Sequence, residues 1–519
     1  MSNSASPGNN SVLFILLLEE NMKRIVIIGG GVSGMSAGIY ARINGFDAVI
    51  CEKHSTVGGN LCGWTRDGYH IDNCIHWLTG TNPHSEGYRM WKELGVLGDV
   101  SVLQGNTLYS CGYGGDILSL YRDINKLEQR MLELSPEDGE EIRRLIRAVD
   151  IMQRIGGIGG DGHDEGLGIR QGIYALPLLM RYYRMTTGEL SKCFSHPLIR
   201  KFISAFWGNE FGSLALLMVF AAFCGENGGI PAGGSCGMAQ RMEKRFAALG
   251  GEVLRGREVI RINRRGTLAE SVDLSDGTRL TADYVVVTCD PSAAFGSIID
   301  APMPKRLERQ YKDRRFKRFS AFQCAFACDI DKLPFEGDYI LSVDNDFPFE
   351  IKQIILREFS HETNYAPEGK NVLQCMTFCY ENEANEFIRM READKMSYDR
   401  KKRELSELFE KLIITDFPVL NGKLRLIDAW TPATYKRYTG AEIGSFMSFA
   451  LPAKCLPFRI TGAVDGIENL FIASQWQQLP GGLPIAAACG RKAVSDIMRR
   501  ELFLTKRKKN CMETKPMQF

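Results

Sequence analysis

The sequence predicts an α/β protein in which a parallel sheet is interrupted by an inserted α+β unit. Three observations carry this. Arg24-Ile25-Val26-Ile27-Ile28 is a β-branched run followed at once by a glycine-rich turn and an apolar helix. A further buried-strand run, Asp283 to Thr288, lies far downstream, as strands of one parallel sheet do when long crossovers join them. Between them stand helical blocks rich in aromatic residues, among them Phe202, Phe206, Trp207 and Phe211.

The chain has 519 residues, 44% hydrophobic and 24% charged, enough for two interleaved domains with a large core. Its net charge of +2 gives no reason to expect nucleic acid or an acidic partner. The 15 cysteines show no CxxC zinc spacing and read as reduced thiols of a cytoplasmic protein. Val12 to Leu18 is apolar but too short to span a bilayer, and it lacks the flanks of a signal peptide. Residues 1–21 are therefore expected to be an extension or a disordered terminus, with Met22 as an alternative start. Leu214 to Cys224 is likewise too short for a span and reads as a buried helix.

Gly29, Gly31 and Gly34 satisfy GxGxxG between the first strand and a helix from Met35 to Asn44, which Gly45 stops. A second strand, Phe46 to Cys51, closes on Glu52. Gly29 permits the tight turn, Gly31 lets a pyrophosphate approach the backbone, and Gly34 lets helix and strand pack closely. The helix N-terminus offers free N–H groups and a partial positive charge. Glu52 stands just past the roughly 20-residue distance at which an acid meets a ribose 2′-hydroxyl. Gly157 to Gly162 also matches the glycine pattern, but it follows a charged helix rather than a strand, so it is expected to be a loop.

Gly58-Gly59-Asn60, after the acid, suits a loop passing close to a bulky cofactor. With Gly68-Tyr69 and Asp72, Pro231 to Gly234, Gly250 to Val253, Val259, and Asn469 to Pro484, these segments follow a recognisable order. In them the chain resembles the FAD-dependent amine oxidase-like superfamily, nearest the phytoene desaturase, carotenoid isomerase and retinol saturase group. The resemblance implies a Rossmann-like FAD-binding domain of the GR2 type with an inserted α+β substrate domain. It assigns 22–105, 225–300 and 425–505 to the FAD domain, 106–224 and 301–424 to the substrate domain, and 506–519 to a basic tail. It implies that FAD is held by Gly29, Gly30, Gly31, Ser33, Gly34, Glu52, Lys53, Gly58, Gly59 and Asn60. Val259 would offer its backbone to the adenine. Gln475, Trp476, Leu483 and Pro484 would lie near the ribityl chain and the flavin ring. The chain departs from its relatives at Asn60, where many carry Arg, and at Ser474-Gln475-Trp476, where many carry Gly-Asp.

His70, Asp72, Cys74 and His76 alternate, as on one strand face, yet they extend too far along the chain to share one metal ion, and no metal is expected. The resemblance brings this segment toward the flavin and marks His76 and Trp77 as neighbours of the ring. His76 is either an acid–base group or a structural histidine. Tyr435 and Tyr438 either orient substrate or are core aromatics, with Tyr438 the second catalytic candidate. Ser135-Pro136-Glu137-Asp138 reads as a helix start, with the apolar face of Ile142, Leu145, Ile146 and Val149 after it. Lys506 to Lys509 is either a solvated terminus or a contact for anionic lipid, at about 1 kcal/mol per basic residue.

The leading function is flavin chemistry at N5 that desaturates, saturates or isomerises carbon–carbon double bonds of a lipophilic carotenoid-, retinoid-, isoprenoid- or fatty-type substrate. An amine oxidase-type enzyme and a non-catalytic FAD-bound binding protein are the alternatives. The electron partner and oligomeric state are open.

Overall fold

β-branched residues at successive positions suit a strand covered on both faces, and the first strand shows why. In the computed structural model, which describes residues 22–155, 169–343, 345–456 and 458–513, Ile25, Val26 and Ile27 are fully buried. Ile25 and Ile27 face the helices Val32–Ile43 and Leu483–Glu513, whereas Val26 and Ile28 face a three-stranded sheet formed by Val259–Arg265, Leu268–Leu274 and Arg279–Thr281. The strand belongs to a six-stranded sheet in the order Glu252–Arg255, Asp47–Glu52, Arg24–Ile28, Tyr284–Val287, Ile467–Ile472, Ala463–Val464. All its pairings are parallel except the last.

A seven-stranded sheet stands beside it, in the order Leu424–Trp430, Phe319–Cys328, Asn371–Tyr380, Gln353–Glu358, Asp338–Ser342, Thr107–Tyr113, Asp116–Tyr121. Phe319–Cys328 and Asn371–Tyr380 are buried at every position, because each face has its own cover. One face packs on Phe387 and Phe409 of the helices Glu381–Ala393 and Lys395–Asp416. The other packs on the helices Gly139–Ile155, Pro197–Ala205 and Ser213–Cys224. Ser213–Cys224 is apolar all round and buried, as its sequence predicts. No helix among the described residues is long and apolar enough to cross a membrane.

Several expectations need correction. The boundary at residue 425 cuts through the strand Leu424–Trp430, which pairs with Phe319–Cys328 and so belongs to the seven-stranded sheet. As a half-exposed edge strand it carries no continuous apolar run to reveal it. Ser135 does stand at the N-cap, with Pro136 in the first position and acids in the first turn, but the turn it starts is the 3₁₀ turn Pro136–Asp138 that leads into the helix Gly139–Ile155, and its Oγ donates to Asp138 Oδ2 (2.7 Å) instead of accepting a backbone N–H. His70 to His76 is not one strand, since the strand ends at Asp72. The backbone of the last helix runs to Glu513, through the start of the basic tail at 506. The Gly157–Gly162 segment and the first 21 residues lie outside the described residues.

Candidate functional site

The glycine turn is built for something that approaches its backbone. Gly29 has φ +102°, and a Cβ there would sit 2.7 Å from Thr288 Oγ1. A Cβ on Gly34 would come within 1.9 Å of the Gly29 carbonyl oxygen, so the helix lies directly on the turn. Gly31 differs: a Cβ there would meet only the Gly58 carbonyl, at 3.8 Å. Its freed space opens into a cavity at the start of Val32–Ile43, whose first N–H groups have no partner within the helix. Gly58 donates its N–H to the Gly30 carbonyl (2.9 Å), folding the Gly58–Asn60 loop over the turn. Glu52 is buried and accepts N–H bonds from Gly30 (2.7 Å) and His54 (2.9 Å), which fixes the carboxylate while leaving lone pairs for hydroxyl donors.

The cavity measures about 470 Å³ and runs from this turn to the seven-stranded sheet. The register of that sheet makes its floor. Gln323, Met376, Ile355 and Ile340 are cross-strand neighbours and form one row, with Phe378 two residues along. Phe206, Trp207 and Val219 cover the floor from the helical side. Trp207 meets Phe206 edge-on (4.9 Å between centroids) and stacks on Phe211 (5.0 Å), so the cover is an aromatic cluster rather than a loose flap. Beside the row, Asp338 and Arg357 face each other across two strands, with Nε–Oδ1 3.0 Å and Nη2–Oδ2 3.1 Å. Burial pushes the Asp338 carboxyl up and the Arg357 guanidinium down to about 9, and their bidentate pairing opposes both shifts.

Of the residues singled out in the sequence, Gly29, Gly31, Ser33, Glu52, Lys53, Gly58, Gly59, Asn60, His76, Trp77, Val259, Tyr438, Gln475, Trp476, Leu483 and Pro484 line this one cavity. Gly30 and Gly34 shape its wall from behind. The Ser33 hydroxyl is already engaged, donating to the Ala486 carbonyl (2.7 Å) and binding the first helix to the last. Its backbone N–H remains available at the helix start. The Gln475 amide spans the Phe446 carbonyl (3.1 Å) and the Gly482 N–H (2.9 Å), which ties down the turn that replaces Gly-Asp. Trp476 turns most of its ring into a separate core, stacked on Tyr311 (5.4 Å) and edge-on to Phe449 (4.9 Å).

The two catalytic candidates lie at opposite ends. Tyr438 is 51% exposed and rests on His54, whose Nε2 is 2.6 Å from the Tyr438 carbonyl oxygen. That is the Glu52 end of the cavity, away from the row of Ile340, Ile355 and Met376. Tyr435 is buried, bonded to Gln323 Nε2 (2.5 Å) and Asn73 Oδ1 (2.9 Å) beneath the floor. His76 stands beside the floor, with Nδ1 3.3 Å from Asp338 Oδ2. Asp72 is a structural hub: its carboxylate accepts from Ser235 N (2.7 Å), the Ser235 hydroxyl, Cys74 N (3.1 Å) and Tyr365 (3.1 Å). Among the described residues, no three His, Cys, Asp or Glu side chains are grouped to hold a metal ion.

Sequence reasoning missed Asp338, Arg357 and Asp290. Asp290 lines the cavity, caps the helix Pro291–Ser297 through Ser292 N (2.8 Å) and accepts from Tyr311 (3.0 Å); burial pushes its carboxyl up. Its Asp-Pro-Ser run is a legible capping signal, yet nothing local aims it at a cavity. Asp338 and Arg357 are 19 residues apart and meet only through strand register.

Residues 32–498 match the family described as flavin containing amine oxidoreductase. Among curated proteins, the chain is 20% identical over 513 residues to a 4,4'-diaponeurosporene oxygenase of Staphylococcus haemolyticus, covering 93% of this chain and 99% of that one. It is 22% identical over 467 residues to a chloroplastic prolycopene isomerase of Daucus carota, covering 85% and 75%. Over 279 residues it is 25% identical to a lycopene-forming phytoene desaturase of Paracoccus, covering 52% and 55%. Among solved structures, an oxidoreductase from Methanosarcina mazei superimposes with a TM-score of 0.59 at 15% identity, covering 91% of this chain and 100% of that one. Cyclohexylamine oxidase from Brevibacterium oxydans gives 0.56 at 14%, covering 92% and 99%. At those identities the structures share the fold.

Proposed function

The chain belongs to the flavin containing amine oxidoreductase family, and from that premise we propose that it is an FAD-dependent enzyme acting on carbon–carbon double bonds of a lipophilic polyene. The single observation that carries this reading is the continuity of one cavity, from the Cβ-free backbone of Gly31 to the apolar row of Ile340, Ile355 and Met376. A phosphate-bearing cofactor suits the first end. A hydrocarbon suits the second, where each buried CH₂ contributes about 0.8 kcal/mol.

The residues present fit FAD. The Gly29–Gly34 turn and the Gly58–Asn60 loop would hold its diphosphate, Glu52 its adenosine ribose, and the turn from Gln475 to Pro484 the flavin half. Bound flavin supplies two-electron chemistry at N5. The protein's own part is to align the polyene along the Ile340–Met376 row, to keep water out with Phe206 and Trp207, and to supply His76 beside it. The names of the curated relatives favour a carotenoid-type substrate over an amine. Contact with a membrane surface, from which such a substrate would be drawn, belongs to the same proposal.

Anaerobic absorbance of the purified protein tests it. The expected outcome is a flavin band that responds to phytoene or prolycopene in detergent micelles, by bleaching, by reoxidation of pre-reduced flavin, or by turnover without net bleaching. Response to primary amines alone, with none to polyenes, would establish the amine oxidase reading instead. A flavin that neither class affects would leave a binding protein.

A further inference from the structure

We propose that Asp338 and Arg357 are positioning residues that hold His76 as the proton donor and acceptor of the cavity, with Nδ1 tied to Asp338 and Nε2 left for the substrate. This rests on the reading above, that the cavity takes a flavin and a polyene.

The buried pair carries a desolvation cost. Asp338 and Arg357 lie on strands whose next residues on the same face, Ile340 and Ile355, are apolar. An apolar pair in their place would serve packing at least as well, because a buried ion pair rarely repays its desolvation. Their remaining contacts show what the pair does. Arg357 Nη1 donates to the Ile75 carbonyl (3.3 Å), the residue just before His76. Asp338 Oδ2 stands 3.3 Å from His76 Nδ1. One guanidinium thus fixes both the carboxylate and the backbone that carries the imidazole. The His76 side chain keeps 29% exposure, whereas those of Asp338 and Arg357 keep 12% and 8%. A carboxylate behind Nδ1 selects the tautomer with its proton there and favours the imidazolium when Nε2 takes a second one. The charged and titratable groups around the relay are Glu358 beside Asp338, and Asp72 and Cys74 beside Arg357.

The step conserves electrons on the protein. The π pair of the alkene takes the Nε2 proton and forms a C–H bond, which leaves the positive charge as a cation delocalised along the polyene and the imidazole neutral. In reverse, a C–H pair becomes the π bond and Nε2 recovers the proton. Where the net reaction is a reduction or an oxidation, the bound flavin would supply or accept the accompanying hydride.

The test uses the flavin-loaded full chain. Diethyl pyrocarbonate acylates neutral imidazole, and its rate at His76 can be read by peptide mass spectrometry near pH 6.5, the ordinary histidine pKa. Asp338→Asn is expected to label at least about threefold faster than wild type, since it loses the carboxylate that favours the protonated ring. Equal or slower labelling overturns the relay. His76→Gln leaves the ion pair intact and provides a second arm should Asp338→Asn not fold. It is expected to keep its flavin while solvent-deuterium incorporation into prolycopene falls about 100-fold. Incorporation at the wild-type rate overturns the proposal. A chain that binds no flavin sinks the functional reading instead, and the labelling comparison then still decides whether Asp338 governs His76.

Discussion

The two ends of the cavity are made in different ways. At the Gly29–Gly34 end the wall is backbone, and its shape comes from side chains that are missing. At the Ile340–Met376 end the wall is side chains, brought together by four strands that begin at residues 319, 338, 353 and 371. The first end therefore depends on single atoms, since a methyl group in the wrong place fills it. The second depends on summed apolar area and tolerates change that keeps volume. The division sets a turn of fixed shape against an apolar floor that tolerates repacking.

The largest effect is expected from a pair of substitutions three residues apart. Gly34→Val would drive its side chain into the Gly29 carbonyl, which a Cβ alone approaches to 1.9 Å. The expected loss is about 3 kcal/mol or more, together with the flavin, read by urea unfolding and by absorbance. Gly31→Ala puts its methyl into open cavity, and its φ of −71° suits alanine. The apoprotein should stay within about 1 kcal/mol of wild type, while flavin affinity falls at least about tenfold, a cost of about 1.4 kcal/mol. Equal apoprotein losses in the two variants would mean that the turn is merely structural.

A smaller effect is expected at the other end. Phe206 is partly buried against Trp207 and Tyr109. Phe206→Ala should destabilise by about 1–3 kcal/mol and raise KM for the polyene about tenfold through lost apolar contact, with flavin absorbance unchanged. If the flavin were lost as readily as in Gly31→Ala, the two ends would not be separable.

The same division explains what the sequence revealed. Gly29, Gly31, Gly34 and Glu52 lie within one strand–turn–helix–strand unit, so spacing alone predicts their roles, and the structure brings them together around one turn. Gly58 and Gly59 are legible for the same reason: their φ values of +118° and +61° require glycine. The floor is not local. Ile340, Ile355 and Met376 read as ordinary strand residues until register aligns them, and the same register creates the Asp338–Arg357 pair. Tyr438 shows the opposite failure. The resemblance sets this stretch against a substrate cavity, yet Tyr438, at the end of the helix Pro432–Thr439, lies at the Glu52 end, against His54. The strand Leu424–Trp430 escaped notice because an edge strand needs only one strong face.

The least conspicuous consequence is alkaline, and it compares the two sheets directly. Burial pushes the Cys51 thiol, in the six-stranded sheet, up to about 12, and that of Cys328, in the seven-stranded sheet, likewise to about 12. In the unfolded chain a thiol releases its proton near 9.0. Above that pH the unfolded state binds fewer protons than the folded state, so stability is fully present below about pH 9 and is lost as pH rises toward 12. Each thiol contributes a slope of up to about 1.4 kcal/mol per pH unit in that window. Cys51→Ala should lose a pH-independent amount through the small void it leaves and show a correspondingly shallower slope, measured by urea unfolding at about pH 9.5 to 10.5. Cys328→Ala should do the same if both sheets unfold in one transition. A slope change confined, for each variant, to a different transition would show that the sheet beneath the glycine turn and the sheet beneath the apolar floor unfold as separate units, each with its own alkaline limit.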